Sequence, residues 1–393
     1  MGWFELFSWG LVVIWAIVTF PAWYGVIWPR FLRDVPASPS ETLPSISIIV
    51  PARDEAAAIE EALRRMLSLD YPDYEVIAIN DRSTDGTGAI MDRVAAEVGA
   101  QLQVVHLTEL PAGWLGKNHA MSVGASRSRG EFILFTDGDV MFDPLVLRRS
   151  LTVVEDRALD HLVLLPNVVT TTFWEAALIN YFCVMLMAAT RFPLVRWKWF
   201  KQAYLGVGAF NLLRRTAYES IGRFQTLQLE VADDVMLGRL VKQQGLNQDV
   251  YGGQQNLSVR WQQGGVWSIV RGLEKNAFSG TQYSVMRTIV AVAVLTLLFV
   301  GPFAALLTGL VSAPVLILSM GSLLLSLGTA RTVGLPLAVG LFFPWAVLVF
   351  CFIMLRSMVI TLRQGGVRWR ETFYSLAELR QARRPAPVTP PPG

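Results

Sequence analysis

Hydrophobic and polar positions alternate in different ways along the chain. From Leu6 to Trp28 no charge interrupts the run. Its length, at about 1.5 Å per residue, makes a helix of roughly 35 Å, enough to cross a bilayer's hydrocarbon layer. From Val285 to Leu362 the only charges are Arg287, Arg331 and Arg356. Breaks at 311–314 and 331–336 divide this region into three expected spans, near 288–310, 313–331 and 336–362.

Between these ends the pattern is that of a folded domain. Residues 36–44 (PASPSETLP) lack periodicity and read as a linker. The domain is expected over 45–284. Short apolar runs at 45–52, 75–80, 101–107 and 131–136 suit buried strands, and the stretches 55–69, 86–98 and 118–129 have helical spacing. This alternation predicts an α/β fold, a mostly parallel sheet with helices on both faces. Transmembrane helices are expected at both ends.

Composition narrows the class. The chain is 53% hydrophobic and 17% charged, with a formal net charge of +3, so it offers no broad basic surface for nucleic acid. Cys183 and Cys351 lie in apolar stretches, and three histidines have no zinc-site spacing. Glu5 stands where a signal peptide would carry basic residues, and Trp23, Tyr24 and Trp28 form an interfacial belt, so residues 1–35 read as a retained anchor. Arg30 and Arg33 then place the domain in the cytoplasm of a multi-pass inner-membrane protein. Three full C-terminal spans would put the arginines of the 363–393 tail outside, a conflict that a re-entrant segment would remove.

Ligands of parallel sheets bind beyond the carboxyl ends of the strands, and here those loops are acidic: PARDE (51–55), NDRSTDGT (80–87) and TDGDV (136–140). Neither G-x-G-x-x-G nor a Walker A sequence occurs at these places. Asp137 and Asp139, separated by one glycine, suit a divalent cation that keeps sites open for phosphate oxygens. The alternative is a polar turn capping the helix expected from Pro144. Asp81 adds a third carboxylate at the end of a neighbouring strand.

The motifs VPARDE, INDRSTDGT, GWLGKNHAMSVGA, EFILFTDGDV, GVGAFNLLRR and ADDVMLGRL stand in this order between residues 50 and 240. In that combination, the segment from Ser45 to about Gly280 resembles a family 2 glycosyltransferase of the membrane-anchored, inverting kind with a GT-A, Rossmann-like fold. The wider layout resembles ceramide glucosyltransferase-like enzymes and bacterial enzymes associated with hopanoid or carotenoid glycosylation. The resemblance implies that Asp81 contacts uracil, that Ala52 and Arg53 flank the base, and that Asp137 and Asp139 bind Mg2+ or Mn2+ with the sugar diphosphate. It implies that Asp234 is the catalytic base, with Asp233 replacing a more usual Glu. Read without the family, Asp233 and Asp234 would stabilise a helix dipole.

Lys117, at a helix start among glycine, tryptophan and histidine, is a candidate for the diphosphate, and His119 a weaker one. The segment LSVRWQQGG (257–265) resembles the Q-x-x-R-W region facing acceptor and diphosphate, keeping Arg260 and Trp261 but with Leu257 at the first position. That departure favours transfer of a single sugar over processive synthesis. The apolar stretch 173–200 is expected either as an interfacial helix presenting a lipid acceptor or as an interior helix of the domain. The implied function is transfer of one sugar from a UDP-sugar to a lipid on the cytoplasmic face. The alternatives are a processive polysaccharide synthase and a non-catalytic nucleotide-sugar-binding membrane protein.

Overall fold

The computed structural model describes residues 3–260, 264–369 and 372–382. Helix α1 (Trp3–Ile27) leads through a short 3-10 turn into strand β1 (Ile46–Ala52), helix α2 (Ile59–Leu67), β2 (Tyr74–Asp81), α3 (Thr87–Val98), β3 (Leu102–Leu107), α4 (Gly116–Arg127), β4 (Phe132–Phe135), β5 (Val140–Phe142) and α5 (Val146–Asp156). There follow β6 (His161–Val168), α6 (Phe173–Thr190), β7 (Asn211–Arg214), α7 (Arg215–Ser220), α8 (Asp233–Gln243) and β8 (Gln248–Val259). The strands form an eight-stranded sheet in the order β3-β2-β1-β4-β7-β6-β8-β5. Strands β1 to β4 are mutually parallel, and β7 and β5 run antiparallel to their neighbours. Ile48, Ile49, Val50, Val76, Ile77 and Ala78 are wholly buried, as sheet covered on both faces requires. Each such large aliphatic side chain contributes roughly 1.5–3 kcal/mol.

The chain reverses its direction of travel across the sheet between β1 and β4. Strands β2 and β3 lie to one side and β4 to the other, so the loops after β1 and β4 flank one crevice. The loops after β1 and β2 are stitched together. Thr84 N donates to Asp54 Oδ1 at 2.7 Å, Glu55 N to Thr87 Oγ1 at 2.8 Å, and Ala56 N to Asp85 Oδ2 at 3.1 Å.

The C-terminal part contains α9 (Val266–Gly280), α10 (Val285–Phe299), α11 (Gly301–Leu307), α12 (Ala313–Val333) and α13 (Phe343–Gln364). Among the described residues four helical stretches are long and apolar enough to cross a membrane: 5–27, 173–190, 313–333 and 337–364. Helices α10 and α11 form a fifth if taken as one span, bent by 43°. The bend falls at Gly301-Pro302, where proline removes a backbone donor. Helix α6 packs among α1, α12 and α13, and Asn180 Nδ2 donates to Ser326 of α12, to its Oγ at 2.9 Å. Its start is a capping box in which Thr172 and Glu175 bond reciprocally, a pairing worth about 1 kcal/mol that gives buried Glu175 a structural role.

Beyond α13 the chain forms a hairpin, β9 (Gly366–Trp369) with β10 (Thr372–Ser375), and a short helix α14 (Leu376–Ala382). Val367, Tyr374 and Leu379 of this segment pack with Leu115, Val231, Phe278 and Tyr283. The Pro-rich end of the tail lies outside the described residues.

Candidate active site

Asp137 and Asp139 follow β4 by two and four residues, in the passage that carries the chain across to β5 at the far edge of the sheet. Thr136 fixes its start, donating from Oγ1 to Ala209 O at 2.8 Å. The aspartates do not cap α5, whose start carries no side-chain cap; in the turn before it Asp143 Oδ1 accepts from Leu145 N at 3.1 Å. Asp137 Oδ1 lies 2.6 Å from Lys117 Nζ at the start of α4, and Asp233 Oδ2 lies 4.0 Å from the same ammonium. Burial works against the Lys117 charge, but Asp137, Asp233 and Asp234 outweigh it and hold its pKa above the ordinary lysine value.

Asp233 and Asp234 open α8. Gly208 N donates to Asp234 Oδ2 and Val235 N to Asp234 Oδ1, both at 2.8 Å, so the carboxylate is held on both oxygens. The GVGAF loop (206–210) makes this approach by backbone alone. A Cβ on Gly206 would stand 1.8 Å from Asp234 O, and one on Gly208 2.3 Å from Asp137 Oδ2. Burial raises the pKa of both Asp233 and Asp234, with Lys117 opposing the shift. Burial, then the like charges of Asp137 and Glu55, pushes Asp139 up to about 7. Negative charge is therefore crowded here beyond what Lys117 neutralises.

A cavity of about 480 Å³ is lined by Lys117, Asp137, Asp139, Asp233 and Asp234. The same cavity is walled by apolar side chains of α6 (Ile179, Phe182, Leu186, Met187), the α1 exit (Trp28, Phe31) and the end of α12 (Val333). Asp81 does not line it. It lies behind the first turn of α4, where a Cβ on Gly116 would come within 2.4 Å of Asp81 Oδ2. Its carboxylate takes both prongs of Arg82, at 2.8 and 3.1 Å.

Ala52 is buried at the end of β1, against Gly138 of the D-G-D turn. Arg53 is half-buried, its Nε 3.9 Å from Asp54 Oδ2. His119 stacks edge-on to Trp114, with ring centroids 5.6 Å apart, and burial lowers its pKa. Arg260 is exposed at the end of β8, directly after Val259, which lines the cavity; Trp261 lies outside the described residues. Leu257 is buried in the strand pairing with β5, which gives its departure from the motif a packing reason. Sequence reasoning missed two contributors. The Gly208 amide acts through the backbone and has no side-chain signature. Arg82 follows Asp81 directly, and only its backbone, at φ 56°, turns its fork onto that carboxylate.

Residues 47–222 match the model of the family described as "Glycosyl transferase family 2". The chain is 29% identical over 200 residues to the probable glycosyltransferase YdaM of Bacillus subtilis, covering 49% of this chain and 46% of that protein. It is 29% identical over 155 residues to a beta-monoglucosyldiacylglycerol synthase of Synechocystis, covering 36% of this chain and 30% of the relative. It thus spans less than half the length of these curated relatives. Among solved structures, the mannosyltransferase PcManGT from Pyrobaculum calidifontis, in complex with GDP-Man and Mn2+, superposes with a TM-score of 0.55 at 18% identity, over 88% of this chain and 95% of that one. The strand order and the sequence match agree: residues 47–222 match a family 2 glycosyltransferase domain, in a fold of GT-A architecture.

Proposed function

We propose that this protein is a membrane glycosyltransferase that moves one sugar from a UDP-sugar, with inversion, onto a lipid acceptor at the cytoplasmic face of the inner membrane. The observation that carries the reading is the single cavity joining the acidic cluster to apolar walls on α1, α6 and α12. A water-soluble acceptor has no use for such walls. An acceptor with a polar head and a hydrocarbon body buries the second against them while its head meets Asp234. The synthase of Synechocystis is named for a glycolipid product, which supports the same class of acceptor.

The Asp137 and Asp139 carboxylates are hard oxygen donors whose crowded charge suits Mg2+ or Mn2+. Among the described residues no group of three His, Cys, Asp or Glu forms a fuller cage, which leaves further coordination to phosphate oxygens. When bound, such an ion would offset the charge growing on the diphosphate. Lys117 adds a positive charge beside it, and Asp81 and Arg53 are assigned to the base with Ala52. Asp234, fixed by the Gly208 and Val235 amides and raised in pKa by burial, takes the proton of the acceptor hydroxyl. The new glycosidic bond forms as the bond from the anomeric carbon to the diphosphate oxygen breaks on the opposite face, which inverts the centre. Arg260, at the cavity's edge, is assigned to acceptor or diphosphate with Trp261.

The test is a supply of labelled UDP-sugars to membranes containing the protein and extracted native lipids. An organic-extractable product with one added sugar supports the reading. Label that stays at the chromatographic origin as polymer supports the processive alternative. Turnover left intact in both Asp139→Ala and Asp234→Asn would overturn the catalytic assignment.

A further inference from the structure

Three guanidiniums share one carboxylate on the face where α1 leaves the helical bundle. Asp249 on β8 is 1% exposed. It accepts from Arg30 through Oδ1, and through Oδ2 from Arg196 Nε at 2.9 Å and Arg157 Nη1 at 3.5 Å. Among the described residues no other carboxylate pairs with these arginines, so the cluster keeps an excess of two positive charges. Arg157 and Arg196 stay partly open to solvent, at 40% and 33%. Beside them Tyr24 and Trp28 of the α1 exit lie 4.9 Å apart, Tyr24 meets Trp197 edge-on at 5.9 Å, and Trp197 stacks on Trp199 at 5.5 Å. Trp28 and Trp199 are 60% and 75% exposed. Such side chains gain little from water and suit the headgroup level of a bilayer.

We infer that this cluster is a binding site for an anionic phospholipid headgroup, next to the acceptor cavity that Trp28 and Arg30 also line, in which Arg157 and Arg196, outside that cavity, hold the phosphate and Trp197 and Trp199 lie among the headgroups. The excess charge asks for an anion, and the tryptophans put that anion in the bilayer. The site also reaches the acidic cluster mechanically. Lys242, near the end of α8, donates to Val195 O and to Trp197 O, the latter at 3.3 Å, so the tryptophan turn is tied to the helix that begins with Asp233 and Asp234. An occupied site fixes the turn, and with it α8, against the membrane. This inference rests on the reading of the chain as a membrane protein, not on its donor or acceptor.

The test uses the full chain reconstituted in phosphatidylcholine vesicles with and without phosphatidylglycerol, with one lipid at a time brominated to quench tryptophan. The expected result is preferential quenching by brominated phosphatidylglycerol. The preference should fall in Arg157→Gln and Arg196→Gln by roughly fivefold per charge removed, and quenching should fall in Trp199→Phe. Arg157→Gln, the more exposed change, guards against misfolding, and far-UV circular dichroism checks each variant. Equal quenching by both lipids, or an unchanged preference in folded variants, would overturn the inference, as would full displacement by inorganic phosphate. Turnover of a labelled UDP-sugar with extracted native lipids, measured on the same variants, reports the proposed function separately from the quenching preference.

Discussion

The Gly208 amide stands 2.8 Å from Asp234 Oδ2, while a Cβ on the same residue would lie 2.3 Å from Asp137 Oδ2. One glycine therefore separates the proposed base from the proposed cation ligand, and the space between them has room for a backbone only. Gly208→Ala should displace Asp137 or Asp234 and lower kcat roughly 10- to 100-fold, because small misplacements of reacting groups are costly. Steady-state kinetics beside circular dichroism checks this; unchanged kcat would show that the spacing does not matter.

Asp234→Asn keeps the shape of the side chain and removes its basicity. Transfer should fall by about 10²-fold or more, with nucleotide affinity nearly unchanged by calorimetry. Asp139→Ala should instead weaken metal-dependent UDP binding. If Asp234→Asn stays active while Asp233→Asn does not, the base is the neighbouring carboxylate.

The apolar walls set a second expectation. Leu186 lines the cavity from α6, and Leu186→Trp would fill part of it. The KM for a lipid acceptor should rise by roughly tenfold, the loss that follows from about 1.4 kcal/mol of excluded apolar contact. UDP affinity should not move. An equal effect on both substrates would separate the cavity from the acceptor.

His161 gives a stability prediction. Gln248 Nε2 donates to its Nδ1 at 2.7 Å, so Nε2 carries the proton and donates to Asn211 Oδ1 at 3.2 Å. Burial lowers its pKa to about 4 in the folded chain, against roughly 6.5 unfolded. The unfolded chain then binds the proton first, so stability from the neutral ring is full above about pH 6.5 and is lost as pH falls toward 4, by up to roughly 3 kcal/mol. Asp139 and Asp233, raised in the folded chain, act in the opposite sense, so the comparison is wild type against His161→Gln. The melting temperature of the wild type should fall more steeply across that window than that of the variant.

The C-terminal hairpin packs beside the proposed donor side. Tyr374 is buried against Leu115, and its hydroxyl donates toward Trp114 O at 3.5 Å. Tyr374→Ala leaves a cavity worth about 3 kcal/mol or more beside the turn that carries Gly116 and Lys117. The KM for the nucleotide sugar should rise several-fold, measurable in initial-rate assays at fixed acceptor.

The sequence by itself determined the strands β1 to β4 and the helices between them to within a few residues, because buried parallel strands are continuous apolar runs and the covering helices carry one apolar stripe. It also determined which loops are acidic, and where the apolar stretches at both ends lie. Only the tertiary structure decided what those loops meet. Asp137 and Asp234 are far apart in the chain and converge because two glycines let the 206–208 backbone pass between them. Asp249 collects three arginines from separate segments, and Val367, Tyr374 and Leu379 are buried after Gly365 because Leu115 and Val231 offer them a surface. Local patterning is written in residues that neighbour each other along the chain, whereas a site is made by partners from distant segments whose distances are set by packing.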